Sequence, residues 1–507
     1  MSAFAEALAR VPPLLAAHVL LSACALALGI AISLPLAIVS ARNPRVARIA
    51  LGFASLVQTV PALALLALFY PLLLWLGHGI PALGFLPSLI ALTLYALLPI
   101  LRNAVAAVRG LDPAVIEAAD AVGMMPRQKL WLVQAPLTAP VVVAGIRTAA
   151  VWTIGAATLA TTVGQPSLGD LIFAGLQTQT WALVLAGCVA AAALALTADA
   201  LIGAIEHGVA TRRRWLWIGA TALLAAGVLG ATAPMWSRSQ PTVVVGAKNF
   251  SEQFILARLI GARLEHVGYR VEYRDGLGSA VAFGAVAEGH VDVYVDYAGT
   301  IWTGAMARKD VPARAAMVAE ISHWAQATKG VRVLGALGFE NAYAFAMRGE
   351  DARARGIATL DDLARAAPGL RLGSDLEFLD RAEWAAVRDR YGLRFASATP
   401  YSPTFMYRAL ASRRVDVISA FSSDGRIAAD GLRVLSDPRR AIPGYDAILL
   451  LSPERARDAR FTAALAPLIG RVPVEAIRAA NYQVDRDTGK RTPEAAARWL
   501  AQRIAAP

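Results

Sequence analysis

Long apolar runs occupy the first half of the chain, and a different pattern occupies the second half. Six windows of the first half reach or approach the length of about 20 apolar residues that a helix needs to cross a bilayer. After about residue 240, short β-branched runs alternate with apolar residues at helical spacing. The pattern predicts a membrane-embedded helical half followed by a soluble α/β half. The six windows are 14–40, 49–76, 85–101, 140–163, 181–205 and 215–235.

The charged residues support this division and indicate the orientation of the first half. The 507 residues include 49 Lys and Arg and 37 Asp and Glu, of which residues 1–240 hold only 13 and 7. Basic clusters follow the first, third and fifth windows, whereas residues 78–84 and 164–180 contain neither Lys nor Arg. Because basic loops face the cytoplasm, we expect six transmembrane helices, with the N-terminus and everything after Trp236 outside. The first window is too long for a signal peptide and is interpreted as a retained helix.

Composition also excludes several classes of function. The net charge of +12 is divided evenly between the two halves, so no basic stripe of the kind that binds nucleic acid is formed. The six histidines show no metal-ligand spacing, and both cysteines, Cys24 and Cys188, lie in membrane windows. The sequence offers no nucleophile with a credible base. We therefore expect no enzyme activity, no metal, no cofactor and no disulfide in the soluble half.

The soluble half reads as two α/β lobes. Strand and helix alternate in each, which predicts parallel sheets with helices on both faces. Two extended apolar runs, 343–347 and 447–452, are expected to cross between the lobes, so that a ligand binds in the cleft of a clamshell. The predicted strands are 242–247, 270–273, 291–295, 370–373 and 415–419, and the first predicted helix is 251–266.

A short segment between the third and fourth windows carries the most informative motif of the first half. Glu117, Ala118 and Ala119 are followed by Gly123, in a stretch that predicts a short amphipathic helix broken by Gly123 and Pro126. Its alternative interpretation is a merely solvated loop. The segment resembles the coupling loop of ABC importer permeases, and this resemblance implies a cytoplasmic ATPase partner that docks there. The chain itself contains no phosphate-binding loop of the G-x-x-x-x-G-K-[ST] type.

Several motifs follow one another in the second half. As bare patterns they are weak, because a strand-to-helix turn capped by Ser is common. In this order they resemble the binding proteins of importers for glycine betaine, carnitine or choline, over nearly all of residues 241–507. In a related branch of that family, which fuses the permease and the binding protein, the ligand is ergothioneine. The motifs are 246–253 (GAKNFSEQ), 296–300 (DYAGT), 338–343 (GFENAY), 377–381, 423–427 (SDGRI) and 481–485 (NYQVD).

The resemblance implies an aromatic cage for a quaternary ammonium group. Such a cation has no N–H to donate, so it is held by the faces of aromatic rings. The matching positions are Tyr297, Tyr343 and Tyr482, with Phe421 where many relatives carry a ring with a hydroxyl. Taken singly, each tyrosine would be interpreted as a core residue. Because Phe421 lacks that hydroxyl and its hydrogen bond, the sequence does not determine which betaine is preferred.

The same resemblance assigns residues to the ligand carboxylate. Gln253 and Thr300 lie at positions able to donate hydrogen bonds to it. Arg381 has two interpretations, which the sequence leaves open. It clamps the carboxylate with its guanidinium, or it ties the lobes together through Glu377 or Asp424.

These observations together predict a fold and a function. The fold is an all-α permease bundle of about six helices followed by a two-lobed binding-protein clamshell, and the function is ATP-driven import of a betaine through a homodimeric permease in the lipid of the inner membrane. Import of ergothioneine is one alternative, and a membrane-tethered betaine sensor is another. The expected limits are 1–210 for the permease domain, with a coupling loop at 112–137, and 211–240 for the sixth helix and linker. Lobe 1 is expected at 241–345 and 446–507, and lobe 2 at 346–445.

Overall fold

The computed structural model describes residues 3–76, 80–178, 180–236, 242–375, 377–401, 403–486 and 488–505. The chain divides into two compact units. The first comprises Met1–Ile172 and Trp181–Ser239, and the second comprises Phe173–Thr180 and Gln240–Pro507. Each unit is described separately below.

The first unit is built from helices alone in its described part. The longest helices pack side by side, and small residues such as Ala96, Ala149 and Ala157 are fully buried between them. The helices are α1 (Ala3–Ala9), α2 (Val11–Arg42), α3 (Pro44–Thr59), α4 (Ala62–Leu76), α5 (Phe85–Arg109), α6 (Pro113–Ala121), α7 (Pro126–Gln128), α8 (Ala135–Ala157), α9 (Gly169–Gln177), α10 (Trp181–Ala210) and α11 (Arg214–Trp236). The part of α9 from Phe173 onward belongs to the second unit.

Five helical stretches are long and apolar enough to cross a membrane, and they correspond to five of the six predicted windows. The second window, 49–76, differs from its prediction as a single span. It consists of α3 and α4, which meet at a bend of 102°. Val60 is extended (φ −74°, ψ 127°) and precedes Pro61, which has no N–H to continue the helix. The count is six only if this bent pair is one span.

The second unit contains two five-stranded sheets. The strand order is β2-β1-β3-β10-β4 in the first sheet and β7-β6-β8-β5-β9 in the second. The strands are β1 (Thr242–Lys248), β2 (Arg270–Leu277), β3 (Val293–Tyr297), β4 (Arg332–Glu340), β5 (Tyr343–Arg348), β6 (Arg371–Asp375), β7 (Ser397–Tyr401), β8 (Val417–Phe421), β9 (Leu432–Val434) and β10 (Asp446–Leu451). We call the unit's two halves, each built on one sheet, the first lobe and the second lobe.

Both sheets are mixed, which corrects the prediction of parallel sheets joined by two crossing strands. The runs 343–347 and 447–452 form β5 and β10, and each lies inside a sheet and pairs antiparallel with both of its neighbours. A strand buried on both faces has the same continuous apolar pattern whatever its direction. The pattern therefore identified the strands and did not reveal their partners.

Helices cover the sheets. The predicted helix 251–266 is confirmed as α12, whose Ile255, Leu256 and Leu264 are buried. The helices are α12 (Ser251–His266), α13 (Ser279–Ala287), α14 (Ala298–Thr300), α15 (Arg314–Lys329), α16 (Gly349–Ala354), α17 (Leu360–Ala366), α18 (Ala382–Tyr391), α19 (Pro403–Ala411), α20 (Arg426–Ala429), α21 (Ala459–Leu465), α22 (Val474–Asp485) and α23 (Pro493–Ala505).

The chain passes from the first sheet to the second through Asn341 and Ala342, and it returns between β9 and β10. The two crossing segments contact each other, because Asn341 N donates to Tyr445 O at 2.9 Å. Ala342 N donates to Ser422 Oγ at 2.9 Å. The second sheet begins at Tyr343, three residues before the predicted lobe limit of 345/346. Tyr343 therefore belongs to the second lobe.

Close packing of α5 against α8 provides a test of the first unit. A Cβ atom on Gly145 of α8 would lie 2.7 Å from Asn103 Cβ and 3.0 Å from Pro99 O on α5. Gly145→Ala should therefore force these helices apart and destabilise the protein by about 1–3 kcal/mol. The measurement is the thermal unfolding midpoint of the full chain in detergent.

Gly155→Ala is the matched control on the same helix. A Cβ atom at Gly155 meets nothing within 4 Å, so this variant should keep the wild-type midpoint or gain up to about 1 kcal/mol from helix propensity. Equal midpoints for the two variants would contradict the packing argument.

Candidate functional site

A cavity of about 170 Å³ lies between the two lobes of the second unit. Its lining includes the last residue of four strands: Lys248 of β1, Tyr297 of β3, Asp375 of β6 and Phe421 of β8. These strands are parallel within their sheets, and ligands of open α/β sheets bind at the carboxyl ends of parallel strands. The topology therefore brings chemically useful side chains from both lobes to one place.

Aromatic rings form a connected series along the cavity. The centroid of Phe250 lies 6.2 Å from that of Tyr297 and 6.3 Å from that of Phe421. The Phe421 centroid lies 5.0 Å from that of Tyr343, which lies 5.8 Å from that of Tyr445. All five residues line the cavity. Three of them, Tyr297, Tyr343 and Phe421, were predicted from the sequence as site residues.

Tyr297 is held by buried polar partners. Its hydroxyl donates to Glu252 Oε1 at 2.6 Å and accepts from Gln253 Nε2 at 2.9 Å. Gln253 Nε2 also donates to Val295 O, and its Oε1 accepts from Lys248 N. Gln253 is therefore saturated by protein groups and lies outside the cavity lining. Its position differs from the predicted one facing the ligand, because its side chain points from α12 towards β3.

A buried lysine lies at the cavity where the sequence motif 246–253 begins its turn. Lys248 Nζ lies 2.7 Å from Asp296 Oδ1, and the two side chains are only 5% and 1% exposed. The same ammonium lies 5.4 Å from the centroid of Tyr297. Because an ammonium has three N–H groups, Lys248 can pair with Asp296 and still donate to an anion in the cavity.

Arg381 lies beside the ring of Tyr343, with its guanidinium carbon 5.7 Å from the ring centroid. Its Nη1 lies 2.8 Å from Glu377 Oε2 and its Nε lies 3.6 Å from Glu383 Oε2. Glu377 belongs to the same lobe, so that ion pair does not tie the lobes together. Glu383 makes one link between the lobes, because it accepts from Thr303 of the first lobe at 2.9 Å.

The other two predicted ligand residues occupy different environments. Thr300 lines the cavity, whereas Tyr482 does not. Tyr482 is 36% exposed, and a Cβ atom added at Gly425 would lie 2.6 Å from Tyr482 Cβ. Successive residues of a helix point about 100° apart, and α22 presents the buried Asn481 to the cavity instead.

Two carboxyl groups line the cavity near Arg426. Tyr407 donates its hydroxyl to Asp424 Oδ2 at 2.6 Å, and Ser251 donates to Asp485 Oδ1. Burial, followed by the nearby Asp485 carboxylate, raises the pKa of Asp424 to about 7. Burial also raises the pKa of Asp485 to about 6, against the hydrogen bond from Ser251 and the charge of Arg426. Both groups therefore titrate close to neutral pH.

Sixteen of the residues that line this cavity were not among the predicted ligand residues. Twelve of them lie inside motifs already recognised, so a reading of each motif residue by residue could have found them. The other four, Ser279, Asp375, Tyr407 and Tyr445, lie outside every motif. The twelve are Lys248, Asn249, Phe250, Ser251, Glu252, Asn341, Glu377, Ser423, Asp424, Arg426, Asn481 and Asp485. Across the described residues there is no group of three or more His, Cys, Asp or Glu able to hold a metal ion.

The predicted coupling segment of the first unit forms an exposed helix followed by a turn. Asp112 Oδ1 accepts from Ala114 N at 2.9 Å and caps α6, which begins at Pro113. Gly123 follows the helix with φ +75°, a conformation that favours glycine. Glu117, Ala118 and Gly123 are exposed, and Ala119 is buried. The predicted short helix with breaks at Gly123 and Pro126 is confirmed.

Two family profiles match the chain. The substrate-binding domain of ABC-type glycine betaine transport systems matches residues 241–502, and the inner membrane component of binding-protein-dependent transport systems matches residues 33–211. The chain belongs to the glycine betaine ABC importer family. As a member of this family, it unites in one chain a membrane permease and a substrate-binding domain. Membership implies an ATPase partner and a small ligand.

Known relatives of this importer subunit share one or both of its parts. The ergothioneine transport permease and ergothioneine-binding protein of Helicobacter pylori (strain G27) is 26% identical over 481 residues, which cover 91% of this chain and 84% of the relative. The carnitine transport permease protein of Listeria monocytogenes is 42% identical over 190 residues, covering 38% of this chain and 84% of the relative. A crystal structure of a glycine betaine/carnitine/choline ABC transporter is 26% identical, covers 52% of this chain and 98% of its own, and has a TM-score of 0.46.

The pKa of Asp424 generates a prediction about stability. Because its pKa is about 7 in the folded protein and 3.8 in a model compound, the folded state binds more protons between those values and loses stability as the pH rises through them. Asp424→Asn removes this effect. It should raise the free energy of unfolding by about 1–3 kcal/mol at pH 8 and by progressively less towards pH 4.

The measurement is amide hydrogen exchange of β8 in the full chain at several pH values. Asp389→Asn is the control, because the Asp389 side chain is 68% exposed and its substitution should change the free energy by less than about 0.5 kcal/mol. A gain from Asp424→Asn that is the same at pH 4 and pH 8 would refute the assignment.

Proposed function

We propose that this chain captures a small quaternary ammonium compound carrying a carboxylate and imports it with the energy of ATP hydrolysis by a separate subunit. The observation that carries the proposal is the series of five rings along one cavity, with Lys248 and Arg381 beside it. A betaine presents a cation and an anion a few bonds apart, and this lining offers a surface suited to each.

The cation is assigned to the ring faces. Tyr297, Tyr343, Phe421, Phe250 and Tyr445 come from both lobes, so a trimethylammonium group among them contacts both sheets. Each ring face contributes about 0.5–2 kcal/mol, depending on how far water is excluded. A phenylalanine at position 421 keeps this attraction, because it depends on the ring and not on a hydroxyl. Contacts from both lobes also favour closure of the cleft on the ligand.

The carboxylate is assigned to donors that line the same cavity. Lys248, Thr300 and Arg381 line the cavity and present an ammonium, a hydroxyl and a guanidinium. Charge-assisted hydrogen bonds from such groups are stronger than neutral ones. Gln253 and Tyr482, although predicted from motifs, have no place in this arrangement: Gln253 orients Tyr297, and Tyr482 lies outside the cavity lining.

Transport requires further parts, which the proposal assigns to the first unit. The exposed Glu117, Ala118 and Gly123, with the buried Ala119, form the dock for the cytoplasmic ATPase. Two copies of the permease domain form the path through the lipid of the inner membrane, and the binding domain lies on the outer side, as the distribution of basic loops indicates.

Ergothioneine is the second candidate ligand, and one observation favours it. The relative from Helicobacter pylori, whose name states ergothioneine transport and binding, matches 91% of this chain and contains both parts. A sensor without transport is the alternative from another class. Against it stands the coupling segment, because a sensor has no need of an ATPase dock.

The first test is uptake by proteoliposomes that contain the full chain and its ABC ATPase partner. We expect ATP-dependent uptake of at least one of glycine betaine, carnitine, choline or ergothioneine. Gly123→Pro, which cannot adopt φ +75°, should abolish uptake while ligand binding persists. Binding without uptake in the wild-type protein would favour the sensor, and neither binding nor uptake would reject the proposal.

The second test removes single rings. Tyr343→Leu and Phe421→Leu keep an apolar side chain but remove a ring face, so each should weaken binding of the transported ligand by about 2–30-fold. The measurement is calorimetric titration of the full chain in nanodiscs.

Tyr482→Leu is the matched control for ring removal. It removes a ring that lies outside the cavity lining and should change the affinity by less than about twofold. A loss at Tyr482 as large as the loss at Tyr343 would contradict the assignment of the cage.

A further inference from the structure

Three charged side chains lie on two long apolar helices of the first unit. Arg147 is the one Asp, Glu, Lys or Arg residue of α8, and Asp199 and Glu206 are the two of α10. Both helices belong to stretches that are long and apolar enough to cross a membrane. We call these three residues the membrane charge cluster.

The three side chains contact one another. Arg147 donates from Nε and Nη2 to the two carboxylate oxygens of Asp199, each at 2.6 Å, and its Nη1 lies 3.5 Å from Glu206 Oε2. Gly203 lies between the two acids on the same face of α10, because residues three and four apart in a helix are neighbours. A Cβ atom at Gly203 would lie only 3.2 Å from Arg147 Cζ. The guanidinium therefore packs directly on α10, with an acid on either side along the helix.

The cluster lies well inside the span of α10. Asp199 precedes the end of the helix at Ala210 by about 16 Å along the axis, and Glu206 precedes it by about 6 Å, at a rise of about 1.5 Å per residue. The hydrocarbon core of a bilayer is about 30 Å thick. Because the basic run 212–214 follows directly and marks the cytoplasmic side, the cluster lies in the cytoplasmic half of the span.

The cluster is not enclosed by the described part of the first unit. The side chains of Arg147, Asp199 and Glu206 are 40%, 33% and 31% exposed. Charged side chains within a membrane face protein or a water-filled cavity, because lipid tails cannot solvate them. The open side of the cluster therefore faces water or protein, and the path of a permease provides water at this depth.

The charges of the cluster match those of a zwitterion. A guanidinium has five N–H groups, and Asp199 takes two of those of Arg147, so the others can reach a ligand carboxylate. The cluster holds two negative charges against one positive charge. The excess negative charge attracts a quaternary ammonium group, which needs no hydrogen bond to be held. A betaine therefore meets an opposite charge for each of its ends.

We propose that the membrane charge cluster is a second binding site for the zwitterion, in the cytoplasmic half of the transport path. During passage, Arg147 binds the carboxylate and Glu206 attracts the ammonium group. The site is weak, because a ligand that moves through must also leave. This inference rests on the proposed function, since it assumes that a zwitterion is imported, and it assigns to the permease a site separate from the cavity of the second unit.

The first test compares uptake with binding. Arg147→Gln and Glu206→Gln each remove one charge of the cluster and leave the cavity of the second unit unchanged. In proteoliposomes with the ABC ATPase partner, each should lower the initial rate of ATP-dependent uptake of glycine betaine, carnitine and ergothioneine at least tenfold. The affinity for the same ligands, measured by calorimetry on the full chain in nanodiscs, should stay within about twofold. Unchanged uptake would overturn the inference.

The second test restores the charge chemically, which a purely structural role would not reward. Glu206→Cys is made in a chain with Cys24→Ala and Cys188→Ala and is treated with methanethiosulfonates that add a sulfonate or a trimethylammonium group. The anionic reagent should raise uptake at least fivefold, and the cationic reagent should not. Failure of both reagents to react would place the cluster away from water, and equal effects would show that charge is irrelevant. Either outcome would overturn the inference.

Leu223→Cys in the same background is the matched control. Leu223 lies near the middle of α11 and is 62% exposed, but it carries no charge. Neither reagent should change uptake of this variant by more than about twofold. A rescue-sized change at position 223 would show that the reagents act nonspecifically, and the rescue at position 206 would then no longer support the inference.

Uptake by the wild-type protein separates this inference from the proposed function. If the wild-type chain imports none of the three zwitterions, the proposed function is rejected and the second site is rejected with it. If it imports at least one and the Arg147 and Glu206 variants import it at the same rate, only the second site is rejected.

Discussion

The binding site depends on one buried carboxylate. Glu252 accepts hydrogen bonds from Tyr297 of β3, Asn341 of the crossing segment and Asn481 of α22. Burial raises its pKa above the ordinary value, and the hydrogen bonds from Ser423, Tyr297 and Asn481 oppose that shift. Because these donors come from separate elements, removal of the carboxylate would leave several buried polar groups without a partner. A single residue at the start of α12 thus fixes the side chains of Tyr297, Asn341 and Asn481 together.

Much of the architecture could be predicted from the sequence, because apolar length and alternation are local properties. The membrane windows and helix α12 follow directly from such patterns. Strand pairing could not be predicted in the same way: the apolar runs of β5 and β10 have no feature that reports direction, and both were assigned to crossings. The bend at Pro61 was also missed by the count of windows, although a proline inside a helical run is itself a local signal of a break.

The site shows the same limit at the level of single residues. The motifs contain Tyr297 and Tyr343, and Phe421 lies just before another motif; all three line the cavity. Tyr482 and Asn481 are adjacent in one motif, and only the rotation of α22 decides that Asn481 lines the cavity and Tyr482 does not. Gln253 shows the same limit as Tyr482, because its position in a motif does not determine which neighbouring groups its side-chain amide contacts. A motif therefore locates a segment at the cavity but does not say which of its side chains line it.

Ligand binding and membrane passage are separated along the chain because the two halves differ in chemistry. A permease must expose apolar surface to lipid, and its helices approach closely through glycine and alanine. It therefore has few positions at which to build a selective polar site. The soluble half has buried carboxylates and amides arranged around aromatic rings, where small changes in hydrogen bonding alter affinity by large factors. Joining both in one chain keeps the selective domain at high local concentration near the permease. Selection by the binding domain then acts before a ligand reaches the membrane path, and the path itself can remain permissive.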